Sequence, residues 1–176
     1  AGYILQTRYN ASGAKVRGIN TELKIGIPSV FELQAGYTFQ RSLYNEPEEW
    51  SDAVKAERKM FRTPDHYAYF TASADITKQF KASLFGNYTG RMLVQHNAGY
   101  IAEDRSELAP SFWDMGAQLA YKFYLTEAIN LELSGGVKNI FDSFQNDIDR
   151  GANRDSVYIF GPMMPRTFFL GLKFTL

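Results

Sequence analysis

The sequence predicts an all-β fold: an antiparallel up-and-down transmembrane β-barrel, with about eight strands present. Three observations carry this expectation. Apolar and polar residues alternate with period two along one segment after another. Tight turns gather at one rim and long polar loops at the other. Charged residues keep almost entirely to one face of each strand.

The bulk numbers are compatible with one domain: 176 residues, 45% of them hydrophobic. Lys and Arg total 19 and Asp and Glu total 19, so the chain lacks the basic surplus that nucleic-acid capture requires. Cysteine is absent, which excludes disulfides and thiolate metal sites. No apolar run approaches the length of a membrane helix. No basic-then-apolar segment opens the chain, so a signal peptide is expected to be already removed or to lie upstream. Aromatic content is high, with 11 Tyr and 14 Phe. Tyr and Trp favour places where one end of the ring is apolar and the other wet.

A weak first strand is expected over residues 3–9. Residues 16–27 then set Ile19, Thr21, Leu23, Ile25 and Ile27 against Gly18, Asn20, Glu22, Lys24 and Gly26. Residues 30–40 set Phe31, Leu33, Ala35, Tyr37 and Phe39 against Glu32, Gln34, Gly36, Thr38 and Gln40. The same pattern recurs over residues 67–76, 80–94, 113–125, 129–138 and 166–176. Phe85 and Leu93 break it by falling on the polar face, and Asn139 by falling on the apolar one. A short helix is expected near residues 48–59, inside a loop.

The connections at Pro28-Ser29, at residues 77–79 and at residues 126–128 are tight. Those at residues 42–63, 95–110 and 142–163 are long and polar. In an antiparallel sheet this places every tight turn at the rim that holds the C-terminus. An outer-membrane barrel has short periplasmic turns and long outer loops.

Charge placement fits the same picture. A Lys or Arg facing lipid at mid-membrane costs roughly 2–4 kcal/mol. The exceptions on the apolar face, Arg17, Arg41 and Arg166, all lie at loop ends of strands, where outer-leaflet lipid phosphates can pair with them. The polar-face charges (Arg8, Glu22, Lys24, Glu32, Lys81, Arg91, Asp114, Lys122, Glu132, Lys138, Lys173) are mixed in sign. Phe31, Phe80, Phe123 and Phe174 band near the short-turn rim. Tyr37, Phe39, Tyr88 and Trp113 band near the long-loop rim, as bilayer interfaces select. A soluble lipocalin-like barrel also alternates, with its apolar face inside. Alternation alone leaves the two orientations open.

The closing stretches carry a resemblance. GGVKNIFD, residues 135–142, resembles the penultimate strand of TonB-dependent outer-membrane transporters, with its Asn-hydrophobic-Phe-Asp turn-out. DRGANRDSVYIFGPMMPRTFFLGLKFTL resembles the last outer loop and final strand of those transporters, in a Bacteroidetes-like style. Gly171, Phe174 and Leu176 are similar to the terminal signal read by the barrel-insertion machinery, with Leu in place of the usual final aromatic. VRGINTELKI and RTPDHYAYFTASADI resemble earlier strands of the family.

The resemblance implies a plugged barrel of about twenty-two strands. On that resemblance residues 1–176 are expected to form its C-terminal portion, with the plug, the TonB-coupling segment and the earlier strands outside this sequence. It implies location in the bacterial outer membrane. It also implies uptake of a scarce nutrient, an iron–siderophore chelate or cobalamin, and no enzymatic activity. The alternative is a self-contained eight-stranded outer-membrane protein with an adhesive or structural role.

Candidate sites follow from chemistry. Tyr44, Trp50, Arg58 and Arg62 in the longest loop are aromatic and cationic, suited to an anionic chelate. By strand parity Asn87, Arg91 and Gln95 are expected to line the upper lumen. Asp147, Asp149, Asn153 and Asp155 offer oxygen ligands for a structural calcium ion, although Arg150 and Arg154 intervene. No other cofactor is expected. His66 is expected at the membrane interface or bonded to a loop. His96, near Glu103, Asp104 and Ser106, allows a hydrolase triad only without the sequence that normally surrounds a nucleophilic serine.

Overall fold

The computed structural model describes residues 12–126 and 128–175. The strand expected at residues 3–9, Arg8 and Leu176 lie outside them. The elements are β1 (Ala14–Ile27), β2 (Phe31–Glu48), β3 (Glu57–Lys59), β4 (His66–Asp75), β5 (Phe80–Thr89), β6 (Met92–His96), β7 (Arg105–Ala109), β8 (Phe112–Tyr124), β9 (Asn130–Lys138) and β10 (Thr167–Thr175). Among the described residues there is no helix.

One eight-stranded antiparallel sheet runs β1-β2-β4-β5-β8-β9-β10, with β3 paired to β2 beside that path. A separate two-stranded sheet joins β6 to β7. The path has two ends: among the described residues β1 pairs only with β2 and β10 only with β9, so the sheet is not closed.

The register keeps the two faces apart from end to end, because directly opposed residues share a face. On one face Ile25 stands opposite Leu33, Leu33 opposite Ala72, Ala72 opposite Leu84 and Leu84 opposite Ala117. The row continues with Ala117 opposite Val137 and Val137 opposite Phe168. On the other face Lys122 opposes Glu132 and Glu132 opposes Lys173, so the sign alternates across three strands.

The apolar face is open rather than covered, and because the sheet is not closed the polar face is open too, with Glu22, Lys24, Glu32, Lys81 and Lys173 exposed. Leu23, Ile25, Leu119, Phe123, Leu133, Leu170 and Leu172 are all open. Phe39 is 40% exposed, whereas Ser42 on the opposite face is 2% exposed. The buried apolar residues, Val94, Ala109, Tyr158 and Phe160, lie in the loops and the small hairpin rather than under the sheet. A soluble lipocalin-like barrel requires the apolar stripe to be covered.

The tight turns have local causes. At the β1–β2 turn Ser29 takes a φ of 59° and the Val30 amide donates to the Ile27 carbonyl at 3.0 Å. Thr77 and Thr126 perform the same task at the other two. Each hydroxyl accepts from the amides two and three residues on: Gln79 and Phe80 for Thr77, Ala128 and Ile129 for Thr126.

Polar-face aromatics cover cross-strand glycines. Tyr69 lies over Gly36, Phe85 over Gly116 and Phe169 over Gly136, each pair directly opposed in register. This explains Phe85, whose position breaks the alternation.

Three expectations need correction. Residues 48–59 form no helix; Glu57–Lys59 instead lies along β2 as β3. The expected strand over residues 80–94 is two strands. It stops at Gly90, whose amide donates to the His66 carbonyl at 2.7 Å and whose Cβ, if present, would meet that oxygen at 2.6 Å. Leu93 therefore belongs to β6, and the loop expected at residues 95–110 carries β7. Finally, the eighth strand among the described residues is β3, and closure into a barrel is not seen among them.

Candidate functional site in the interlocked loops

Three long connections meet at one end of the sheet and pack on each other. Their small core is Val94 and Ala109 from the β6–β7 hairpin with Tyr158 and Phe160 from the β9–β10 loop. Polar groups then bind the layers. His96 stacks on Tyr158 with ring centroids 3.6 Å apart and planes 3° from parallel. His96 Nε2 lies 3.1 and 3.0 Å from the two carboxylate oxygens of Asp149. Both residues are almost fully buried. Buried polar groups need partners, and here each supplies the other.

Asp155 ties the same layers. Its carboxylate accepts from the Asn97 amide at 2.8 Å and side chain at 2.9 Å, and from the Val157 amide at 2.8 Å. Burial opposes its charge, but these donors outweigh burial and hold its pKa below the ordinary carboxylate value. Asp104 is lowered in the same way by the Ser51 hydroxyl and then by the Ala98 amide. The Tyr158 hydroxyl is pushed up, first by burial and then by donating to Asp147 at 2.8 Å.

The predicted substrate residues do not converge on one spot. Trp50 donates its indole N–H to Ser106 at 3.2 Å and packs edge-on to Phe61. Arg62 is a junction: its amide donates to the Leu93 carbonyl, and its guanidinium donates to the carbonyls of Val157 and Ile159. Gln95 pairs in register with Ser106. Asn87 sits on the polar face between Tyr69 and Asp114, and Arg91 is exposed between β5 and β6.

Tyr44 and Arg58 do come together. With Arg17 and Arg41 they line a cavity of about 780 Å³ against β1 and β2. Arg166, the third arginine of that expectation, lies elsewhere: its side chain donates to the Ile140 carbonyl at 3.0 Å and its amide to Asp142.

The carboxylates considered for calcium meet protein donors. Asp147 accepts from Tyr158, Asp149 faces His96 and the Asp155 amide, and Asp155 holds Asn97. Asn153 is exposed. Among the described residues no three His, Cys, Asp or Glu side chains group as a metal site. The triad around His96 does not assemble, because Ser106 is engaged by Trp50 and Asp104 by Ser51. His66 bonds Tyr37 at 2.7 Å through Nδ1, within the aromatic band expected at the interface.

The Asn139–Asp142 turn anchors the last loop. The Asn139 side chain is buried, donates to the carbonyls of Ser143 and Met164 and accepts from the Ser143 amide, each at 2.9 Å. This accounts for an Asn on the apolar side of the strand pattern. Gln145, Tyr158 and Phe160 were not singled out by sequence. The signal was the apolar run VYIF at residues 157–160, inside a loop otherwise rich in Asp, Arg and Asn.

No family model and no curated protein matches the chain. Among solved structures, it is similar to the crystal structure of the ferric-catecholate import receptor Fiu from E. coli K12 in its open form. The TM-score is 0.60 at 21% identity. The match covers 92% of this chain and 21% of the receptor, which comes from E. coli and not from a Bacteroidetes species. The likeness shows a shared fold: this all-β antiparallel chain is built like a segment of an import receptor about five times its matched length.

Proposed function

We propose that the chain is the C-terminal barrel portion of a TonB-dependent outer-membrane receptor that takes up a scarce nutrient, an iron chelate first among the candidates. The observation that carries this reading is the single exposed apolar face, unbroken in register from β1 to β10 with the charges opposite. In water such a face is costly; against hydrocarbon it is the stable arrangement. Among the described residues one side of β1 and one of β10 are unpaired, which fits a larger barrel better than a self-contained eight-stranded one, since strands in a bilayer need both neighbours. The neighbour is an import receptor for ferric catecholates, which favours iron among the substrates.

In this reading the interlocked loops, Gln95 among them, form the outer vestibule, and Arg91 and Asn87 lie on the path below it. A plug and a TonB-coupling segment, supplied by sequence preceding these strands, complete the transporter. The experiment is growth of a deletion strain on one iron source at a time: a ferric catecholate, a ferric hydroxamate or ferric citrate, with cobalamin tested in a corrinoid-requiring background. Growth on one source is expected to be lost in the deletion strain and restored by the intact gene, and short-term uptake of that labelled source is expected to cease when the proton gradient is dissipated. Unchanged growth on all of them contradicts the proposal.

A further inference from the structure

The cavity against β1 and β2 joins two chemistries. Lys15, Arg17, Arg41 and Arg58 supply four cations, and Ile19, Phe39 and Leu43 supply an apolar floor. Arg17 and Arg41 are direct cross-strand partners, an arrangement that repels unless something of opposite sign lies between them. Among the described residues none of the four cations has a carboxylate within 4.0 Å. Residues 1–11 contain no Asp or Glu. Arg58 is held in place by the carbonyls of Asn45 at 3.1 Å and Tyr44 at 3.4 Å, which orient its guanidinium without neutralising it. Glu57 and Asp65 line the adjoining cavity with Arg41 and Arg58, and Asp65 is engaged by Lys59 at 2.7 Å.

The floor belongs to the long apolar face. Ile19 is 69% exposed and opposes Phe39 in register, directly below the arginine pair. The cations therefore stand at the loop end of a hydrocarbon-facing stripe, where headgroups begin. An anion alone would leave the floor bare, and an acyl chain alone would leave the charges uncompensated.

We propose that this cavity is a binding site for a phosphorylated, multiply acylated lipid of the outer leaflet. Its phosphate seats between Arg17 and Arg41 with Lys15 and Arg58 at the rim, and its chains lie along Ile19, Phe39 and Leu43. Arginine suits the task because its planar fork meets phosphate oxygens in pairs. The proposal rests on the outer-membrane reading above.

The test uses the complete receptor, purified in detergent and exposed to three probes: a diphosphorylated hexa-acyl glucosamine disaccharide, its dephosphorylated counterpart and inorganic phosphate. Binding is read by native mass spectrometry. The wild-type protein is expected to retain the phosphorylated lipid, and R17Q/R41Q to bind it about tenfold more weakly or worse, as loss of charge-assisted bonds implies. The polar-face control K138Q/K173Q is expected to match wild type. Should R17Q/R41Q fail to insert, R17K/R41K keeps the charge and loses the fork, and is expected to fall between the two. Equal binding of the dephosphorylated lipid, equal binding by the arginine variants, or displacement by millimolar phosphate overturns the lipid site. If these occur while the receptor inserts and imports normally, only this site is lost. Failure of the wild-type protein to enter bilayers removes the site and the functional reading together.

Discussion

Phe85 of β5 stands directly across from Gly116 of β8 and covers it so closely that a Cβ on the glycine would meet the ring at 2.4 Å. Tyr69 over Gly36 and Phe169 over Gly136 repeat the arrangement at two other strand pairs. An aromatic on a polar face thereby gains an apolar surface, and the glycine backbone gains cover. Gly116→Val is expected to lower stability by about 1–3 kcal/mol through overpacking. Urea unfolding in detergent, followed by tryptophan fluorescence, reads the change. Gly26, which has open space where its Cβ would be, serves as the control and is expected to tolerate Ala.

Asn139 is the pin of the β9–β10 loop. Its side chain makes three hydrogen bonds while its backbone takes a φ of 48°. Asn139→Ala leaves the carbonyls of Ser143 and Met164 and the Ser143 amide without those partners, and is expected to cost roughly 1–3 kcal/mol. Limited proteolysis within residues 140–166 is expected to accelerate. Asn139→Gly relieves the backbone and not the bonds, so it is expected to recover only a small part of the loss.

The His96–Asp149 pair couples the hairpin to the same loop. Asp149→Ala strips a buried imidazole of its partner. Hydrogen exchange in β6 and β7 and in residues 155–160 is then expected to speed together, while exchange in the seven-strand path stays unchanged. If β6 and β7 keep their protection, the two loops are not coupled through this pair.

Acid is expected to loosen the loops late. Asp104 and Asp155 both have folded pKa values below the ordinary carboxylate value, Asp104 chiefly through the Ser51 hydroxyl and Asp155 through donors that outweigh its burial. A lowered folded value means the stabilisation is present above the unfolded value and lost as pH falls through the folded one. Exchange at Asn97, Ala98 and Val157 is therefore expected to keep its protection factor from pH 8 down to about pH 4 and to lose it only below that.

The strands were legible in sequence because period two needs no partner to be seen: β1, β4, β8 and β10 lie within a residue or two of their expected bounds. The β5–β6 boundary was not, because Gly90 ends the strand through an amide bond to His66, which is distant in sequence. β3 was hidden for the same reason, its three residues being held only by pairing with β2. Within the candidate site, Tyr44 and Arg58 were identifiable as residue types, and they meet. Trp50 and Arg62 had the same chemistry, but loop packing directs them to Ser106 and to the carbonyls of Val157 and Ile159. The pairing of His96 with Asp149 spans 53 residues and has no local signature.

The central claim is that the apolar face meets hydrocarbon, and residues 1–176, which hold no cysteine, can carry single labels once any cysteine elsewhere in the receptor is replaced. Single cysteines at Leu133 and Leu172 on that face, and at Ser83 and Lys122 on the other, are labelled with a fluorophore after reconstitution of the complete receptor. Brominated lipid is expected to quench Leu133→Cys and Leu172→Cys strongly while aqueous iodide reaches Ser83→Cys and Lys122→Cys. If iodide quenches the labels at 133 and 172 and brominated lipid does not, the orientation is reversed and the account fails.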